Sequence, residues 1–426
     1  MKTLRIIILI TILSWNFYLH AQWKDETTFG QVITDLKVYN DELFIVGGFL
    51  KREGSTCFWS ARYDGSSFTN QTTQIGGSGL SKLEIFGDDL YATSRLNIAG
   101  TLGLCRWNGT SWSSGAGFNM SQTGIYADGS QLYVGSDFGQ IHIINDTGSV
   151  TSLPSMDGSS DNIDEILSFN GEIIVAGKFA SSNGTTLNNI ARWDGSAWQP
   201  LGSGVSGRVR SMVVYQGELY AGGMFRNAGG NSAKFIAKWD GTNWTDVGGS
   251  MTGSGYNGVW DMKVEDGKLI AGGDFDEMGG VPAKYLAIWD GNVWSGFSLH
   301  PSEQFVTSIE FYQNRIYVGT FDFDSSHVYS HAGNLTSVEE SREQHLLSFY
   351  PNPAHDQIQI EWETVKPAVS IEIVNMEGKR VVEQQLFGLA RNYRFDCAKI
   401  GQGVYMIILK DGENGAVLDK RKFIKM

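Results

Sequence analysis

Cysteine is nearly absent from this chain of 426 residues: Cys57, Cys105 and Cys397 are the only three. None stands in a Cys-x-x-Cys pair or a Cys/His cluster, so a structural zinc site of the usual spacing is excluded. An odd number leaves at least one thiol unpaired in a single chain, and Cys57 and Cys105 fall in different repeat units, which argues against a disulfide between them. Positive charge is also short: 33 Lys and Arg stand against 46 Asp and Glu, a net −13. A basic footprint for nucleic acid is missing. Beyond residue 21 no stretch reaches the ~20 apolar residues of a transmembrane helix, and long Leu/Ala/Glu/Lys helical patterns are missing as well. The G-x-S-x-G elbow, H-E-x-x-H and the Walker A loop do not occur. No catalytic set, metal site or cofactor site is therefore read.

What is abundant is glycine (53), tryptophan (13) and aromatic residues at 12%. Short strands and turn residues dominate, which points to an all-β chain. The middle of the chain repeats itself. Three clear copies read Arg192-Trp193-Asp194-Gly195-Ser196-Ala197-Trp198, Lys238-Trp239-Asp240-Gly241-Thr242-Asn243-Trp244 and Ile288-Trp289-Asp290-Gly291-Asn292-Val293-Trp294. Weaker copies are Arg62-Tyr63-Asp64-Gly65, Arg106-Trp107-Asn108-Gly109 and Asn145-Asp146-Thr147-Gly148, with a last one at Ser330-His331-Ala332-Gly333. A glycine-phenylalanine element precedes most of them, as in Gly47-Gly48-Phe49, Gly222-Gly223-Met224-Phe225 and Gly272-Gly273-Asp274-Phe275. Seven units of ~40–50 residues result, each the length of a four-stranded propeller blade. In the fifth unit the strands are expected at Val209–Tyr215, Glu218–Phe225, Phe235–Trp239 and Trp244–Val247. Asp-Gly marks the hairpin, the double glycine permits close backbone approach, and the recurring tryptophans read as core between blades rather than as a ligand site.

A double glycine followed by spaced aromatics resembles the kelch-type β-propeller, over residues 22–337. The Trp-Asp-Gly turn and the spacings depart from the usual kelch pattern. The resemblance implies a propeller, and the seven units make it a seven-bladed ring. The Trp23 segment has the phase of an outer fourth strand, so it is expected to complete the last blade, with Leu335–Glu339 competing for that place. Closing the ring in this way removes a free edge.

Aligning the seven inner strands gives an apolar ring of Leu36, Leu83, Ile125, Ile166, Met212, Met262 and Ile309. The next residue points the other way. There Lys263, Glu310, Lys37 and Glu84 alternate in sign around the circle, which reads as a structural charge ladder or as a polar channel site. Toward one mouth lie Asp35, Lys82, Glu165 and Asp261, with Asp164, Arg210 and Trp260 beside them. Carboxylates, an arginine and an aromatic plate are what a glycan or peptide site would use; a solvated rim reads the same way. Asp157, Asp161 and Asp164 form an acidic segment, but the spacing is not that of an EF-hand loop. His327 and His331 lie too far apart on a strand to chelate one ion.

The two ends read as export signals. Lys2 and Arg5 precede an apolar stretch from Ile6 to Phe17, and Leu19-His20-Ala21 ends it: a signal peptide over residues 1–21, with Gln22 as the mature start. The last eighty residues hold Phe349-Tyr350-Pro351-Asn352-Pro353, a Glu377-Gly378-Lys379 turn, Gly401-Gln402-Gly403-Val404-Tyr405, and a tail in which Lys422 and Lys425 sit. Those landmarks resemble the type A C-terminal sorting domain of the type IX secretion system of Gram-negative bacteria. The resemblance implies a small Ig-like β-sandwich over 347–426, a linker at 338–346, and the secretion machinery and a surface sortase as partners. Between the signals, residues 22–346 carry 20 basic and 36 acidic residues, a net −16. The expected function is a secreted or surface propeller that binds a glycan, peptide or protein. The alternative is an extracellular carbohydrate-active lyase or hydrolase with its site at the same mouth.

Overall fold

The computed structural model describes residues 23–72, 79–94, 102–118, 121–249, 251–253, 258–297, 305–321, 325–332, 347–350, 357–362, 368–375, 379–387, 392–412 and 417–425. Residues 1–21, expected as a signal peptide, residues 338–346, expected as a linker, and Leu335–Glu339 lie outside them. The chain divides into two compact units, Met1–Thr336 and Ser337–Met426. Among the described residues no helix is long and apolar enough to cross a membrane.

In the first unit, seven small antiparallel sheets follow one another. We number them by their first strands: Ile33–Tyr39, Leu80–Phe86, Gln122–Ala127, Asn162–Phe169, Val209–Tyr215, Gly258–Glu265 and Phe305–Tyr312. Each is a four-stranded meander except the seventh, whose own chain supplies three strands. First strands pack against first strands of the next sheet, and the seventh meets the first through Thr307 Oγ1, which donates to Ile33 O at 2.7 Å. This is the arrangement of a β-propeller. The apolar ring read from the aligned repeats, Leu36 through Ile309, is buried throughout.

Local chemistry dictates each meander. Tyr39 pairs with Glu42 across Asn40-Asp41, whose φ angles of 49° and 58° are both positive. That is the type I′ geometry, whose twist matches the flanking strands. At the outer hairpin Asp240 Oδ1 accepts the amides of Thr242 and Asn243, each at 2.7 Å, and those amides hold its carboxyl below the usual carboxylate range. Asp64, Asn108, Asn145, Asp194 and Asp290 cap their hairpins in the same way. The seventh sheet lacks this cap because it needs no hairpin there. Its fourth strand is Lys24–Phe29, paired antiparallel with Ser326–Ala332 from Lys24↔Ser330 to Phe29↔Ser326. Phe29 is fully buried, with its ring 4.3 Å from that of Phe49. The fifth sheet shows how the expected strand ends shift: strands two and three span Glu218–Gly223 and Ile236–Trp239. Phe235 leaves the ladder because it adopts φ +69° and donates its amide to Phe225 O.

Sheets are joined by close approach. A Cβ on Gly222 would lie 2.6 Å from Val259 Cγ1 of the next sheet. The tryptophans of each hairpin pair at 5.1 Å (Trp193–Trp198), 5.4 Å (Trp239–Trp244) and 5.2 Å (Trp289–Trp294). The second of each pair also reaches back to the preceding sheet. Trp198 Nε1 donates to Pro154 O at 2.7 Å, Trp244 Nε1 to Leu201 O and Trp294 Nε1 to Val247 O, both at 2.8 Å. Buried rings thus satisfy their one polar atom across the seam.

The second unit holds a three-stranded sheet (Leu347–Tyr350, Gln357–Trp362, Asn392–Asp396) and a four-stranded one (Arg380–Phe387, Ala368–Asn375, Gly403–Asp411, Val417–Lys425). Ile358, Ile360 and Trp362 of the first share one core with Ile371, Ile373, Ile407 and Leu409 of the second. Glu372, buried in its strand, pairs with Lys410 and Arg380, and these cations lower its pKa.

Two outcomes follow from the seams. A variant lacking Lys24–Phe29 exposes the edge of Ser326–Ala332 and loses the Phe29 anchor. Its melting temperature is expected to fall by about 10 °C, from a loss of ~3–5 kcal/mol; an unchanged thermal melt would remove the closing role. Gly222→Val drives methyl groups into Val259 and is expected to cost about 2–3 kcal/mol by urea denaturation, whereas the same change at open Gly217 acts only through its positive φ.

Candidate functional site

Every inner strand carries a β-bulge at the same depth. The register slips between Ile33/Asp35, Leu80/Leu83, Gln122/Gly124, Ile163/Glu165, Val209/Ser211, Val259/Asp261 and Val306/Ser308. A bulge leaves a residue outside the ladder and re-aims its side chain. The residues so displaced are Thr34, Ser81 with Lys82, Thr123, Asp164, Arg210, Trp260 and Thr307. All of them line one cavity of about 460 Å³, together with Arg208. That volume lies in the range of small-molecule sites, ~300–1,000 Å³.

Three of the displaced residues are braces. Thr34 Oγ1 donates to Leu80 O at 2.8 Å, Thr123 Oγ1 to Ile163 O at 2.7 Å, and Thr307 Oγ1 to Ile33 O at 2.7 Å, each crossing to the next sheet. Sheets four, five and six carry other chemistry at this position. Asp164 accepts two hydrogen bonds from Arg208, from Nε at 2.6 Å and Nη2 at 2.5 Å. The Arg210 guanidinium lies 3.8 Å from the centre of the Trp260 ring, with Met224 Sδ 3.6 Å from its Nη2. Phe305 packs on Trp260 at 4.9 Å. Trp260 is therefore not an open plate for a sugar ring: the Arg210 guanidinium lies over it, and Phe305 packs against it at a tilt of 45°.

Beneath the mouth runs a polar layer. Asp35 accepts from the amides of Leu36 (3.0 Å) and Leu83 (2.8 Å) and from Ser308 Oγ (3.2 Å), linking sheets seven, one and two. Asp261 does the same for sheets five, six and seven, through Met262 N (2.9 Å), Ile309 N (2.8 Å) and Ser211 Oγ (3.5 Å). Lys82 Nζ spans sheet three to reach Glu165 Oε2 at 3.0 Å. The layer position of sheet three is Gly124, so nothing stands in the way. One turn of the pleat deeper, the charged ladder resolves into two pairs, Lys37–Glu84 at 3.2 Å and Lys263–Glu310 at 3.3 Å.

Of the seven residues marked from the sequence, Lys82, Asp164, Arg210 and Trp260 line the cavity, and Glu165 meets it through Lys82. Asp35 and Asp261 are nearly buried and turn their oxygens into backbone amides rather than into the mouth. Arg208 was not marked; an arginine two residues before Arg210 and just ahead of the inner strand is the available signal. Elsewhere, Asp157 binds the Ser181 hydroxyl and the amides of Asn183 and Gly184, which accounts for that acidic residue as a loop brace. His327 pairs with Asp25 at 2.8 Å, and His331 packs on Trp23 and Phe297. All three cysteines are buried and unbridged; burial pushes the Cys57 thiol up to about 11 and that of Cys105 to about 12.

Burial also pushes Glu165 up to about 7, with Asp261 and Asp35 adding to it and Lys82 opposing. Burial works against the Lys82 charge, but Glu165, Asp35 and Asp261 outweigh it and raise its pKa. Folding thus strengthens proton binding at Glu165 relative to its ordinary value of 4.5. The stability it contributes is present below 4.5 and is lost as pH rises through about 7.

The sorting landmarks lie in the second unit. Gly403 pairs with Lys425 and Met406 with Lys422 across the last two strands, and Tyr405 Oη donates to Gly401 O at 2.9 Å. Tyr350 ends the strand Leu347–Tyr350, while Pro351, Asn352 and Pro353 lie outside the described residues. Residues 348–425 match the family described as the secretion system C-terminal sorting domain. The protein carries a type IX sorting tail. It is exported to the cell surface or beyond it in Gram-negative Bacteroidetes. Residues 170–193, in sheet four, match a β-propeller domain of unknown function. No curated protein matches the chain. Among solved structures, the chain is similar to PorZ, an essential bacterial surface component of the type IX secretion system of Porphyromonas gingivalis, at 13% identity over 92% of this chain and 70% of that one, with a TM-score of 0.40. It is also similar to the extracellular domain of the two-component system BT4673 of B. thetaiotaomicron, at 12% identity over 94% of this chain and 58% of that one, with a TM-score of 0.49.

The pH dependence is open to direct test. Glu165→Gln is expected to flatten the stability profile between pH 5 and pH 8 by on the order of 1–2 kcal/mol. Parallel slopes for wild type and variant in thermal melts across that range would show that Glu165 does not titrate there.

Proposed function

We propose that this protein is a binding module: a seven-bladed, kelch-like β-propeller that captures a ligand at one mouth of its channel. A signal peptide over 1–21 takes it into the periplasm, and a type A, Ig-like sorting domain behind the 338–346 linker takes it across the outer membrane. In this reading a surface sortase acts near the linker. The seven sheets are the blades, and the exported propeller is the working part.

One observation carries the reading. At the bulge position the ring needs only a threonine to brace the next blade, as Thr34, Thr123 and Thr307 demonstrate. Blades four, five and six instead present Asp164, Arg210 and Trp260 around a cavity of about 460 Å³. Charged and aromatic groups that the architecture does not require, gathered at one pit, support ligand recognition. The hydrolase alternative draws less support. Glycoside hydrolysis by the common route uses two carboxyl groups ~5–9.5 Å apart across the bond, whereas Asp164 is the one carboxylate in the cavity lining and both its oxygens are engaged by Arg208.

The test is a glycan and peptide array probed with the full mature chain beside Trp260→Ala and Arg210→Gln. Loss of about tenfold or more in signal for the bound class is expected in both variants. Signals unchanged by either substitution would remove the mouth as the binding site. Release of new reducing ends with turnover on the bound polysaccharides would replace the module with an enzyme.

A further inference from the structure

One aromatic ring of the first unit stands outside the packing that its counterparts share. Ser136 pairs with Gln122 at the place where Gly177 pairs with Ile163 and Gly223 with Val209. That register makes Phe138 the counterpart of Phe49, Phe179, Phe225 and Phe275. Those four rings are at most 2% exposed, whereas Phe138 is 49% exposed. The link between the second and third strands accounts for the difference. In sheets one, four, five and six it carries a small hairpin: Lys51–Arg52 with Ser55–Thr56, Ser181–Ser182 with Thr185–Thr186, Asn227–Ala228 with Asn231–Ser232, and Glu277–Met278 with Val281–Pro282. In sheet three the link is only Asp137-Phe138-Gly139, closed by Ser136 N, which donates to Gln140 O at 2.9 Å. Of the sheets whose link is described in full, sheet three alone has no hairpin.

The turn is held without the ring. Ser136 Oγ accepts the amides of Phe138 at 3.2 Å and Gln140 at 2.9 Å, and Asp137 Oδ1 accepts from Asn162 Nδ2 at 2.8 Å. Gly139 O accepts Met156 N at 3.0 Å, and a Cβ on Gly139 would lie 2.6 Å from Met156 Cβ. A ring presented on so clamped a turn loses little freedom when it is covered. The turn also stands at the mouth. The pairs Gln122↔Ser136 and Gly124↔Gly135 bracket Thr123, which lines the cavity. Burial opposes the charge of Arg208 in the same lining, but Asp164 and, behind it, Asp137 outweigh burial and raise its pKa, so Asp137 is within electrostatic reach of the pit.

We propose that Phe138 is an outer subsite for a neutral saccharide chain whose end occupies the pit. The inference rests on the mouth being the binding site. A cavity of about 460 Å³ takes the end of a chain, so the following rings must leave over the mouth face, and over sheet three no hairpin of that sheet stands in the way. Inside the pit the Arg210 guanidinium lies over Trp260, whereas Phe138 offers an open aromatic face beside it. A sugar ring sets its C–H face on such a surface and turns its hydroxyls to polar neighbours, here Asp137, Gln140 and Asn162. Peptide anchors, in contrast, fill desolvated apolar pockets, and this ring has a polar surround. Asp137, and Asp161 beside Gly139, place negative charge at the subsite, which disfavours an acidic sugar there.

The experiment is titration calorimetry of the full mature chain with cello-, xylo-, manno- and galacto-oligosaccharides, each series run from disaccharide to hexasaccharide, and with a Ser-Leu hexapeptide. In at least one series affinity is expected to rise by about fivefold or more from the shortest to the longest member. Phe138→Ala is expected to remove that rise with an unchanged thermal melt, and Phe138→Trp to keep it. Val293→Ala, which trims another exposed apolar side chain, is expected to leave the rise intact. A rise untouched by Phe138→Ala, or no binding in any series, overturns the proposal. Binding of the hexapeptide alone, lost in Phe138→Ala, assigns the ring to a peptide and overturns the saccharide. The two readings fail differently. If hexasaccharide binding falls in Trp260→Ala but not in Phe138→Ala, the mouth stands and the outer subsite falls. If it responds to neither variant, the mouth falls as well.

Discussion

The close seam between neighbouring sheets governs this molecule. Each sheet is too small to bury its own faces, so it lies against the next with almost no space between backbones. Gly222 sits where any side chain would collide with Val259, and Gly272 and Gly319 stand in the same relation to Val306 and Ile33. Tryptophan hairpins fill the outer, wider part of the wedge, and threonine hydroxyls and aspartate carboxylates stitch the inner part. These hydroxyls and carboxylates are expensive to bury, and the burial of Thr34, Thr123, Thr307, Asp35 and Asp261 is offset because each meets a backbone amide or carbonyl on the neighbouring sheet.

That seam also generates the site. Bulging the inner strand lets one side chain leave the ladder at a fixed depth, and a threonine there completes the brace. Once three sheets supply enough stitching, the same position in other sheets is available for different chemistry. Asp164, Arg210 and Trp260 occupy it in three consecutive sheets, and Lys82 occupies it where the bulge is two residues long. The charges below them are compensated at short range, Lys82 with Glu165, Lys37 with Glu84 and Lys263 with Glu310. A channel lined by unpaired charge would cost far more.

Closure ties the ends of the first unit together. Lys24–Phe29 completes a sheet whose other strands lie near residue 330, so the ring cannot shut until almost the whole unit is present. Contacts of such sequence separation carry a large loop-closure cost and slow folding. The arrangement also explains why the final repeat, around Ser330-His331-Ala332-Gly333, departs from the Trp-Asp-Gly pattern: its partner strand arrives from the other end, and no hairpin is required.

Repetition made the sheets legible in the sequence. Local turn chemistry at Asp240-Gly241 and Asn40-Asp41, alternation along Val209–Tyr215, and the recurring double glycine each act over a few residues, so they could be read without knowing the fold. The phase of Trp23 against later repeats was likewise readable, and so were the landmarks of the sorting tail. Side-chain commitments across the seams were not. Asp35 and Asp261 share a phase with Glu165, yet two became amide braces and one the partner of a lysine on another sheet, because Gly124 lets Lys82 pass. Trp260 reads as an open plate along its own strand, but Arg210 lies over it, and nothing local to Arg208 signals its pairing with Asp164. Periodicity along a chain fixes which way a side chain points. What it meets is settled by residues tens of positions away that only the closed ring brings within 3–4 Å.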